Sequence, residues 1–262
     1  MFIFPLIYFS SFLIALKEIL RGSKQSFLLF LIFGLSMYTT AMSVAFQLGF
    51  KDFIGLFQSF KELIILALLG WTIWSYKAVV KLHFIDYAIF AYFCYALLYA
   101  LLPIGDQPLL SRLLAFKGTC FFLLVYLLGR LFDPVKIFIN KYFLFILILA
   151  IGTAVVVLFE VLTNQHLQSR TGYADYNYYF FNFEKSGNFG LTWTFESGAG
   201  FKRFASFFAN PLEHAGATLI SLSVLAALYT DDRDRFKPDR FGWIAFAATL
   251  ISIFLPYQER LL

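Results

Sequence analysis

Four stretches of this chain run for about a membrane's thickness without one charged side chain. Phe27–Phe50, Tyr87–Gly105, Tyr142–Phe159 and Phe241–Gln258 contain no Asp, Glu, Lys or Arg. A helix of roughly 20 mostly apolar residues crosses the hydrocarbon core of a bilayer. Four further blocks, Phe2–Leu16, Leu63–Tyr76, Leu113–Gly129 and Ala215–Thr230, reach that length together with their flanks. The expected fold is therefore all-α: a polytopic transmembrane helix bundle of about eight spans with one long outer loop. The spans fall near residues 2–16, 27–50, 56–76, 84–105, 110–130, 142–163, 211–230 and 241–258, within a single membrane domain, 1–262. Composition agrees. Only 14% of residues are charged and 60% are hydrophobic, with a mean hydropathy of +0.75, against about 25% charged in soluble domains. Lipid accepts that apolar surface without burial, because the spans satisfy their own backbone.

Orientation follows from the basic residues. The first block has none before it and no small-residue cleavage site after it, so it reads as a span and not as a signal peptide. Lys17, Arg21 and Lys24 follow it and mark its end as cytoplasmic. Alternating sides from there places twelve of the 21 Lys and Arg residues in inner loops and nine in outer segments. Three of the four inner loops are short and densely basic, which is where this bias sets topology. The loop 165–203 and the C-terminal end then face outward.

Little points to soluble chemistry. The chain has no Gly-rich phosphate loop and no Cys or His spacing for a metal, and its +5 formal charge is ordinary for membrane anchoring. The expectation is no cofactor, no metal and no nucleic-acid partner. Cys94 and Cys120 lie inside apolar blocks and read as buried thiols.

The loop 165–203 mixes Gly, Ser and Asn with many aromatics, among them Tyr173, Tyr176, Tyr178, Tyr179, Phe181, Phe183 and Trp193. Such rings form an interfacial belt or a platform on which sugar faces pack; both readings stand. The next segment is the most informative. Asn210-Pro211 signals a helix start: Asn caps free N–H groups, and Pro in the first turn lacks the orphaned donor. A helix N-terminus favours anions, and Lys202 and Arg203 precede it. Arg presents a planar fork to phosphate oxygens. These features describe either a phosphate site at the outer face or cations anchoring a helix among headgroups. Arg112 and Lys117 open the fifth span, where they either snorkel to the interface or contact a lipid diphosphate. Lys61 and Glu62 are expected to neutralise each other.

The run Arg203-x-x-Ser206-Phe207-Phe208-x-Asn210-Pro211 resembles the segment that introduces a middle span in the O-antigen ligase and polymerase superfamily. Lys61-Glu62, Asp86, Arg112-x-x-x-x-Lys117 and Tyr126-Leu127-Leu128-Gly129-Arg130 are similar to that family's front half. Arg260 stands where the family shows an arginine after Ser, with Gln258-Glu259 departing from the pattern. The resemblance implies a multi-pass protein of the bacterial inner membrane that passes a glycan from an undecaprenyl-diphosphate carrier to an acceptor. It implies a metal-independent reaction on the outer face, with arginines on the diphosphate. Lys202, Arg203, Asn210, Arg112, Lys117 and Arg260 are the substrate-binding candidates, and membrane lipid is the surrounding partner. The family's acceptor-activating histidine belongs to a later outer loop that this sequence lacks, so an incomplete chain is expected and the catalytic residue is left open. Neither His166 nor His214 matches the family's histidine motif, and His214 reads as a packed residue. The alternative is a membrane transporter or a non-catalytic membrane partner protein. A transporter would show broken helices and ionisable groups near the bilayer midplane.

Overall fold

The computed structural model describes residues 1–75, 82–102, 107–132, 137–197, 200–230 and 235–258. It is mostly helical, with almost no strand. The helices are α1 (Ile3–Leu20), α2 (Lys24–Leu35), α3 (Tyr38–Gln47), α4 (Ile54–Ser75), α5 (Phe84–Leu101), α6 (Leu109–Arg130), α7 (Ile139–Thr163), α8 (Leu167–Arg170), α9 (Tyr173–Phe181), α10 (Pro211–Tyr229) and α11 (Arg240–Phe254). Two short strands, β1 (Lys202–Arg203) and β2 (Tyr257–Gln258), pair antiparallel, with Arg203 opposite Tyr257.

Among the described residues six helices are long and apolar enough to cross a membrane. Two of the eight expected spans depart from that pattern. The stretch 27–50 is not one straight helix: α2 and α3 meet at 58°. No proline causes the bend. Phe30–Leu35 forms a π-helical turn, and Ser36 Oγ donates to the Ile32 carbonyl at 2.6 Å. Both features open or bend an α-helical ladder. Gly34 lets the turn close on itself, since a Cβ there would stand 2.4 Å from the Phe30 ring. The stretch 241–258 also falls short, because α11 ends at Phe254. Leu255 keeps helical angles (φ −80°, ψ −23°), but Pro256 lacks the amide donor that would continue the ladder, and the chain then enters β2. Fifteen residues rise only about 22 Å, less than the roughly 30 Å core.

The chain divides into two compact units, a larger one of 1–58 and 138–262 and a smaller one of 59–137. In the larger unit α1 packs on α2 and α3, α9 packs on α3, and α7 packs on α10 and α11. Leu147, Val224, Leu225 and Ala245 form the apolar seam of that last group. In the smaller unit α5 and α6 pack antiparallel, so the start of α5 meets the end of α6.

Candidate functional site

The segment between β1 and α10 is irregular backbone, yet Phe204, Ala205, Ser206, Phe207 and Phe208 are all buried. Backbone polar groups away from water need partners, and side chains supply them here. Glu160, in the last turn of α7, accepts the Ser206 amide at 2.8 Å on one oxygen and the Leu167 amide at 2.8 Å on the other. Gln168 Nε2 donates to the Ser206 and Phe208 carbonyls at 2.8 and 2.9 Å, and Thr40 Oγ1 to the Phe207 carbonyl at 2.7 Å. Ser206 Oγ donates to the Thr153 carbonyl at 3.1 Å. Ser206 itself has φ of 54°, a left-handed conformation uncommon outside Gly, Asn and Asp. Such strain persists only where the surroundings over-determine it, and bonds at its amide, carbonyl and hydroxyl do so.

These bonds also set depth. Thr153 lies ten residues before the end of α7, about 15 Å along the helix. Lys202, by contrast, bonds Asn164, the left-handed cap that ends α7. The chain therefore dips from the end of α7 towards its middle and returns to start α10. Non-helical backbone at such depth survives only when protein covers it.

Arg203 stands at the mouth of this dip. Its backbone is held by pairing with Tyr257, and the neighbouring Phe204 amide donates to the Pro256 carbonyl at 3.2 Å. Its Nε is buried without a hydrogen-bond partner, and it makes no ion pair among the described residues. Lys202 differs: its ammonium is engaged by Asn164 and lies 5.1 Å over the Phe189 ring. Asn210 caps α10, its Oδ1 accepting the Leu212 and Glu213 amides at 3.0 Å each. Glu213 turns back to accept the Ala209 amide at 3.3 Å. Asn210 caps the start of α10 as expected, and this leaves the helix end little to offer an anion beside Arg203. Its leading amides are capped, and a carboxylate already occupies the positive end of the helix.

Beneath β1 lies His166, ringed by Phe189, Phe195 and Phe204 at 5.1–5.5 Å, with both nitrogens buried and unbonded. Burial, and then the charge of Lys202, lower its pKa to about 4, so it is neutral at physiological pH. Nearby, burial and then the Glu213 carboxylate push the Tyr173 hydroxyl up to about 12. His214 is buried and stacks on Phe208, with centroids 5.8 Å apart.

The other candidates belong to the smaller unit or lie beyond the described residues. Arg112 donates to the Leu102 carbonyl, closing the end of α5. Lys117 pairs with Glu62 at 3.1 Å across α4 and α6, and Lys61 lies 5.7 Å over the Phe121 ring. Asp86 receives Arg130 through two nitrogens, at 3.0 Å each, and also the Tyr126 hydroxyl. Arg260 lies outside the described residues.

Glu160 and Gln168 were not legible as site residues. Glu160 carried a signal: it is the acid that closes the charge-free block 142–159, and ionisable groups in spans are costly and often functional. No group of three or more His, Cys, Asp or Glu able to hold a metal occurs among the described residues. No family model matches the chain, and comparison with curated proteins and with solved structures finds no match either.

Proposed function

We propose that this chain is a polytopic protein of the bacterial inner membrane, with about eight spans, that handles a glycan carried on undecaprenyl diphosphate and takes part in its transfer or polymerisation. The observation that carries the reading is Arg203. It is a guanidinium with a buried, unbonded Nε, at the level where α7 ends and α10 begins. A lipid diphosphate presents its charge at that level, where hydrocarbon meets headgroups. A charge-assisted contact from Arg to phosphate oxygens is the strong, directional kind. The rigid dip behind Arg203 would hold it in place without further adjustment on binding. The aromatic loop 173–195, which packs Phe195 and Tyr173 beside Ala205, would lie over the sugar. Lys202 and Asn210 support the site through structure, by tying down the end of α7 and the start of α10.

A second reading, a membrane transporter, is favoured by the 58° break between α2 and α3 and by the Glu62–Lys117 pair within apolar helices, both features of transport proteins. One experiment separates the two. The purified chain in proteoliposomes is given undecaprenyl-diphosphate oligosaccharide, with undecaprenyl monophosphate and free oligosaccharide as competitors. The transferase reading expects saturable binding of the diphosphate lipid, weak competition by the monophosphate and no solute movement across the bilayer. Solute flux without diphosphate-lipid binding would establish the transporter instead.

A further inference from the structure

The aromatic loop opens with α9, and this helix has two distinct faces. Tyr173, Tyr176 and Asn177 face inward and are buried. Its outward stripe changes along its length. It begins with Asp175, paired with Lys185 at 2.7 Å, and ends with Tyr178, Tyr179 and Phe181, all exposed. Its position in the larger unit is fixed at three points. The Tyr176 hydroxyl accepts from Gln58 Nε2 at 2.9 Å, Gly172 sits against Gln47, and Phe46 packs on Tyr176, Tyr179 and Phe180. Phe46 and Gln47 end α3, and Gln58 is in the second turn of α4. The helix therefore lies level with the ends of apolar helices, where a bilayer passes from acyl chains to headgroups.

The chain beside it has matching chemistry. The turn between α3 and α4 exposes Leu48, Phe50 and Phe53. From the same turn Lys51 places its ammonium 5.4 Å over both the Phe46 and Tyr179 rings. The exposed surface thus combines apolar rings, phenol hydroxyls and one cation, which is the composition of interfacial anchors. We infer that α9 is a membrane-interface helix. Its C-terminal half, with Tyr178, Tyr179 and Phe181, lies in the headgroup–acyl boundary beside the α3–α4 turn, and Lys51 faces phospholipid phosphate. Asp175 and Lys185 mark the end that rises into water. The inference rests on the membrane reading above but not on glycan chemistry.

Site-directed spin labelling tests it in lipid nanodiscs containing phosphatidylglycerol. Nitroxides are placed at Tyr178→Cys, Phe181→Cys, Asp175→Cys and, as a reference inside α7, Ile148→Cys, with Cys94 and Cys120 replaced by alanine. Collisions with oxygen are compared with collisions with a water-soluble nickel chelate. The expected order of oxygen preference is Ile148 highest, Phe181 and Tyr178 intermediate, and Asp175 lowest. Phe181 and Tyr178 as open to nickel as Asp175, with Ile148 still shielded, would overturn the interface helix and leave the membrane reading intact. An Ile148 label open to nickel would overturn both. Should the cysteine-free background fail to fold, labelling of the same single cysteines by a membrane-impermeant maleimide, with Cys94 and Cys120 retained, gives the same ranking as rates. Labelling must then be slower at Phe181 than at Asp175.

Discussion

The two units handle charge inside apolar surroundings in opposite ways. In the smaller unit acids meet bases: Glu62 takes Lys117 across α4 and α6, and Asp86 takes the fork of Arg130 across α5 and α6. In the larger unit the buried acid meets backbone. Glu160 has its two oxygens engaged by the Leu167 and Ser206 amides, and Arg203 has no ion pair among the described residues. A pair that neutralises itself holds helices together and offers little to a ligand. An acid engaged by amides, with an uncompensated base nearby, shapes a segment and leaves a positive charge for something else. The contrast leaves Arg203, in the larger unit, a better candidate for an anionic ligand than Lys117, whose charge is already paired.

The largest effect expected from this contrast is at Glu160. Glu160→Ala strips two buried amides of their acceptor, at about 1–3 kcal/mol each, so unfolding in detergent should lose about 4 kcal/mol. Glu160→Gln keeps one acceptor and should lose roughly half as much. Equal stability of Glu160→Ala and the parent would mean that the dip does not depend on this carboxylate.

His166 comes next. Its folded pKa of about 4 lies below the ordinary 6.5, so the opened loop binds the proton more readily than the closed one. Closure is then fully favoured above pH 6.5 and weakens as pH falls towards 4, by about 3 kcal/mol over that window. His166→Phe should flatten the profile, measured as amide exchange in the loop against pH. A slope unchanged by the substitution would place the titrating group elsewhere.

The smallest effect is in the smaller unit. Lys117→Ala removes the partner of the Glu62 carboxylate on α6. Breaking a buried pair costs about 3–5 kcal/mol, but Lys117 is 57% exposed, so about 2 kcal/mol is expected after screening. Replacing both residues with Leu should recover most of the loss. A double variant no more stable than Lys117→Ala would show that the pair does more than hold α4 to α6.

Much of the helical plan was legible, because a run of apolar residues without charge dictates a helix wherever lipid or a core receives it. The block Tyr142–Phe159 became most of α7, and Asn210-Pro211 became the capped start of α10. The π turn at Phe30–Leu35 was not legible, since Gly34 and Ser36 sit in an apolar run whose hydropathy is unaffected by how its hydrogen bonds close. The early end of α11 was written in Pro256 but masked by the apolar residues around it. At the site, Arg203 could be singled out by its place before a helix start. The partners of the segment 206–208 could not, because Thr40, Thr153, Glu160 and Gln168 converge on it only after α3, α7 and α8 have packed around it.

Arg203, and not the charges of the smaller unit, is proposed to hold a lipid diphosphate. This is tested most directly by undecaprenyl-diphosphate binding to the parent chain, Arg203→Ala, Arg203→Lys and, as an exposed-loop control, Arg170→Ala. A charge-assisted contact is worth roughly 1.5–3 kcal/mol, so Arg203→Ala should weaken binding about 10- to 150-fold. Arg203→Lys keeps the charge without the fork and should recover only part of the loss, while Arg170→Ala should bind like the parent. Equal affinity in all four proteins would contradict the account and leave Arg203 an anchor at the membrane surface.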